Sequence, residues 1–114
     1  IYHPLRVMFY AEGDEKVKCA AVLHDVMEDS PITESDLKKE GFDDEIITAL
    51  KLLTRSEEQD YFEYVKNLKG NPIAKAVKLA DLKDNMDMSR IKEPKERDFL
   101  RLEKYKKAKA LLEE

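Results

Sequence analysis

The chain has 114 residues, 40% of them charged and 42% hydrophobic, with a formal net charge of -4. That length suits one domain rather than two. No run approaches the roughly 18 to 20 apolar residues of a membrane span, and the acidic balance argues against a duplex nucleic-acid surface.

Taken in chain order, the punctuation reads as helical. Helices are predicted over 4–12, 15–29, 34–40, 44–54, 57–69, 72–89 and 94–113. Pro4, Pro72 and Pro94 each open a segment, where a missing N–H costs nothing. Gly13, Gly41 and Gly70 each follow one, as glycine does just past a helix C-terminus. Asp14 and Asn71 stand at N-cap positions, and Thr33 with Asp36 resembles a capping box. Sustained two-residue alternation is missing, so strands are not expected. The predicted fold class is all-α, a single-domain bundle of about six to seven helices over 1–114. Ile1 in place of Met suggests a chain that starts part-way into its gene. The single cysteine, Cys19, excludes an internal disulfide and fits a reducing cytoplasm.

Two apolar stripes run into polar groups. In the second segment Val17, Ala20 and Ala21 form an inward face whose next turns carry His24 and Glu28. In the sixth, Ile73, Ala76, Val77 and Ala80 form the face, and it continues into Asp81, Asp84 and Asn85. The fourth stays apolar through Ile46, Ala49, Leu50 and Leu53, as ordinary core packing requires. Burying ionisable groups is costly unless they are paired or bind a metal. Two stripes that both end in such groups point to a shared polar pocket.

The densest chemistry lies in Leu23-His24-Asp25-Val26-Met27-Glu28-Asp29-Ser30-Pro31. On a helix His24 stacks with Glu28 and Asp25 with Asp29, one turn apart. An imidazole beside a short carboxylate can reach one divalent cation, and the mixed N/O set suits manganese, iron or zinc better than calcium. His3, before Pro4 at a helix start, is placed to join, and Asp81 could complete the set from the sixth helix. The chain holds only two histidines, His3 and His24, and both fall in this constellation.

His3, the pair His24-Asp25 and the distant Asp81 resemble the H…HD…D signature of HD-domain metal-dependent phosphohydrolases. The similarity is closer to the (p)ppGpp pyrophosphohydrolase branch, the hydrolase domain of RelA/SpoT-type proteins and their small stand-alone relatives. It is carried by Tyr2-His3-Pro4-Leu5-Arg6-Val7, by Leu23 to Pro31, and by Val77-Lys78-Leu79-Ala80-Asp81 with Asn85. The resemblance implies the all-helical HD bundle. It further implies that His3, His24, Asp25 and Asp81 bind one divalent metal, commonly manganese. Glu28 and Asp29 match the pair that positions or deprotonates the attacking water, and Asn85 matches a position facing the nucleotide. Asp84 stands where that family often has histidine. RelA/SpoT-type hydrolases also carry a basic segment ahead of the His-Pro. The implied reaction is removal of pyrophosphate from the 3′ position of a guanosine polyphosphate.

Charge balance sets a further requirement. A +2 metal with Asp25 and Asp81 is neutral, and Glu28 with Asp29 makes the pocket negative, so a polyphosphate needs nearby cations. Lys78, Arg55 and Arg90 are the candidates for substrate contact, with Arg6 weaker. Two other readings stand beside this one: an HD hydrolase for a different nucleoside phosphate, and a non-catalytic nucleotide-binding module that retains the metal. Tyr61 and Tyr64 read as core, or as a stacking surface closing over the pocket. Leu102, Tyr105 and Leu112 read as core or as a homodimer contact.

Overall fold

The computed structural model describes residues 15–29, 31–55 and 58–114, the side chains of Asp25, Val26, Glu28 and Asp29 excepted. Among them the chain forms six helices and no strand: α1 (Glu15–Asp29), α2 (Glu34–Lys39), α3 (Asp44–Leu53), α4 (Tyr61–Leu68), α5 (Pro72–Asn85) and α6 (Glu96–Glu113). The all-α expectation holds. The helix predicted over 4–12 lies outside the described residues.

Local chemistry explains most of the boundaries. Thr33 and Asp36 form the predicted reciprocal cap on α2: the Thr33 N–H donates to Asp36 Oδ2 at 2.9 Å and the Asp36 N–H to Thr33 Oγ1 at 3.3 Å. The helix stops at Gly41, whose φ of +88° is left-handed, and the Phe42 N–H reaches back to the Leu37 carbonyl at 3.2 Å. That bond closes the wide C-terminal turn that glycine permits at little steric cost. Asn71 caps α5 by accepting from the Ala74 N–H at 3.0 Å, with Pro72 in the first turn.

Three boundaries differ from the sequence reading by more than one residue. α4 starts at Tyr61 rather than 57 because Asp60 takes the cap, its Oδ2 accepting from the Phe62 and Glu63 N–H groups at 3.1 Å each. α5 ends at Asn85 rather than 89. There Asp87 Oδ1 accepts from the Ser89 N–H at 2.9 Å, a local turn that competes with further helix. α6 begins after Pro94, at Glu96, with the Lys95 N–H donating to the Asp98 carboxylate at 2.9 Å.

α5 is the centre of the packing. It lies against α1, α3, α4 and α6, while α1 also packs on α3. α3 supplies a large share of the bulky core side chains through Ile46, Ile47, Leu50 and Leu53. Fully burying one such side chain contributes about 2 kcal/mol. The partners α1 and α5 contribute small residues instead, with Ala20, Ala21 and Ala74 wholly buried and Ala80 nearly so. The two helices that carry His24 and Asp81 pack against each other. The buried stripe of α5 runs Ala74, Val77, Asp81 and Asp84, while Ile73 and Ala76 are only half-buried. The stripe is thus rotated slightly from the sequence reading.

Candidate functional site

Three polar side chains are buried among the described residues: His24 (8% exposed), Asp81 (7%) and Asp84 (1%). They come from the ends of the two stripes, α1 giving His24 and α5 giving both aspartates. His24 is held by a 2.8 Å hydrogen bond between its Nδ1 and the Ala21 carbonyl one turn back. A carbonyl only accepts, so Nδ1 carries the hydrogen and the neutral ring has its lone pair on Nε2. That is the tautomer used by a histidine that binds metal through Nε2.

Asp81 is gripped from its own helix. Lys78 Nζ donates to Asp81 Oδ2 at 3.1 Å, and both side chains are nearly buried. Burial by itself would lower the pKa of the Lys78 ammonium. The Asp81 carboxylate, Tyr64, Tyr61 and the hydrogen bond to Asp81 outweigh it, and the pKa lies above the ordinary lysine value. The ammonium also sits 5.5 Å from the Tyr61 ring centroid and 5.4 Å from that of Tyr64. Tyr64 is core, its hydroxyl donating to the Leu53 carbonyl at 2.6 Å. Tyr61 is half-buried, and its hydroxyl is out of contact with solvent.

The remaining expected residues divide into two groups. Arg55 belongs with Lys78: its guanidinium lies 5.4 Å from the Tyr61 centroid, and its Nε donates to the Gln59 carbonyl at 3.2 Å. Arg90 instead binds the end of α5. Nη2 approaches Asp84 Oδ1 at 3.4 Å and donates to the Asp84 carbonyl at 3.3 Å, while Nη1 reaches Asp87 Oδ2 at 3.4 Å. A cation at a helix C-terminus satisfies carbonyls that have no partner within the helix. Asn85, the last residue of α5, is exposed.

His3 and the side chains of Asp25, Glu28 and Asp29 lie outside the described residues. Among the described residues, no group of three or more His, Cys, Asp or Glu side chains is arranged to hold a metal ion. His24 and Asp81 are the expected ligands that are described. Their chemistry fits a divalent cation: a buried imidazole of the right tautomer and a buried carboxylate with one oxygen on a lysine. A groove of about 600 Å³ lies elsewhere, lined by α5 residues such as Lys75, Leu79 and Lys83 with Lys109 and Glu113 of α6. It holds none of the candidate residues, being on the side of α5 away from Asp81.

Two features were missed in the sequence. The Asp84–Arg90 strap had a signal, since Asp84 continues the inward stripe and a buried carboxylate needs a partner. The gathering of cations on Tyr61 had none, because it joins segments far apart in the chain. No helix among the described residues is long and apolar enough to cross a membrane. No family model matches the chain, and no curated protein matches it significantly.

Proposed function

We propose that the protein is a metal-dependent phosphohydrolase of the HD type, acting on the 3′-pyrophosphate of guanosine polyphosphates. The observation that carries this reading is the burial of His24 and Asp81 on two helices that pack directly against each other. Ordinary packing would not select an imidazole and a carboxylate for the ends of two alanine-rich stripes, because desolvating them is costly.

In this reading His24 and Asp81 would hold a divalent cation together with His3 and Asp25, and manganese suits the set. Such a cation lowers the pKa of a bound water from 15.7 towards about 7 and polarises a phosphoryl oxygen. The chain supplies the rest. The Nδ1 bond to Ala21 fixes the His24 ring, and Lys78 fixes the Asp81 carboxylate, so neither has to be ordered when the site fills. Glu28 and Asp29, in the last turn of α1, are the groups that take a proton from water, a role worth a factor of about 10² to 10⁴. Asn85, at the end of α5, would face the nucleotide.

The test combines elemental analysis with a turnover assay across ppGpp, pppGpp, NADPH and simple nucleoside phosphates. The expected result is about one divalent ion per chain and pyrophosphate release from ppGpp, with both lost in His24→Ala. Turnover by metal-free His24→Ala at the wild-type rate would overturn the mechanism. Stoichiometric metal without hydrolysis of any compound would favour the binding module instead.

A further inference from the structure

Tyr61 opens α4 and receives three cations from three different segments. Lys104 of α6 places Nζ 4.2 Å from the ring centroid, Arg55 of the loop after α3 lies at 5.4 Å, and Lys78 of α5 at 5.5 Å. Lys78 is balanced by Asp81. Among the described residues, neither Arg55 nor Lys104 forms an ion pair with a carboxylate, and the Nε of Arg55 meets only the neutral Gln59 carbonyl. A cation–π contact at an exposed site contributes only about 0.5–1 kcal/mol, modest recompense for gathering like charges around one ring.

We propose that Arg55 and Lys104, both set against the Tyr61 ring, form a recess for the phosphate groups of an oligoanion such as pyrophosphate, beside Asp81. Two cations not offset by carboxylates match an anion carrying at least two charges. The guanidinium offers paired donors to phosphate oxygens, the ammonium a compact charge. Lys78 touches both Tyr61 and Asp81, which sets the recess next to the candidate cation ligand. Identifying the anion as the substrate's leaving group rests on the phosphohydrolase reading; anion binding itself does not. The recess would answer the charge requirement of that pocket with Lys104, a residue the sequence does not single out.

The test is isothermal titration calorimetry of inorganic pyrophosphate into the whole chain without added metal. Wild type should bind, and Arg55→Ala and Lys104→Ala should each weaken binding by about tenfold, the loss typical of one charge-assisted contact. Lys109→Ala, in the separate groove, should stay within about twofold of wild type, which separates the recess from general attraction to lysines. Orthophosphate should bind more weakly than pyrophosphate, and guanosine should not compete. Equal affinity in wild type, Arg55→Ala and Lys104→Ala, or no binding by wild type, would overturn the recess. Binding that depends on Arg55 and Lys104 in a protein that hydrolyses nothing would keep the recess and sink the hydrolase reading.

Discussion

Lys78 shows how burial redirects a charged side chain. Its position one turn before Asp81 invites two readings, a phosphate contact or an ion pair, and spacing alone does not separate them. Burial does. A nearly desolvated ammonium is costly without a counter-charge, and Asp81 stands 3.1 Å away. Lys78→Met would leave the Asp81 carboxylate short of its partner, so metal-free protein should lose about 3 kcal/mol of stability, read by urea denaturation. The pH dependence follows from the direction of the shift. The folded pKa lies above the unfolded value of 10.5, so the pair's contribution is complete below that pH and declines as pH rises further. The stability gap between wild type and Lys78→Met should therefore stay constant from pH 7 to about 10 and narrow above it. A gap that closes near neutrality would show the pair contributes little. His24 and Asp81 were legible in the sequence because each ends an apolar stripe. The fates of Lys78, Arg55 and Arg90 were not, since a long flexible cation goes wherever the fold places a carboxylate or a ring.

Helix existence was legible and helix ends less so, and α4 shows why. Hydrophobic period marks Tyr64, Val65 and Leu68 as one buried face, but it cannot tell where an extra N-terminal turn would stop. Asp60 decides that by binding two backbone N–H groups that would otherwise lack partners. Asp60→Ala should destabilise the protein by about 1 kcal/mol, while Asp60→Asn or Asp60→Ser should restore most of it. Denaturant midpoints of the three variants, at unchanged slope, check this; full stability in Asp60→Ala would remove the cap from the account. The early end of α5 has a similar origin. Asp87 turns the chain at Ser89, and Arg90 folds back over the last carbonyls. Asp87 and Ser89 lie within the span that period alone assigns to the helix, and Arg90 follows it directly.

At the scale of the molecule, α5 is the shared surface. It meets helices drawn from both ends of the described chain, and its buried stripe carries Asp81 and Asp84. The surface around it is laced with exposed ion pairs such as Lys16–Glu45 at 2.9 Å, each worth little at physiological salt. Stability therefore resides in the apolar contacts of α3 and α5. This arrangement has a consequence for how the protein opens. Val77 and Ala80 are buried in the interior of α5, so their amides should exchange with solvent only when the whole chain unfolds. Those of α2, a six-residue helix that among the described helices packs on α3 alone, should exchange through local opening at a smaller free energy. Native-state hydrogen exchange with increasing denaturant separates the two classes, and early exchange along α5 would refute the distinction. If it holds, the stretch that carries Asp81 has no partly melted form of its own: it persists, or is lost, with the molecule as a unit.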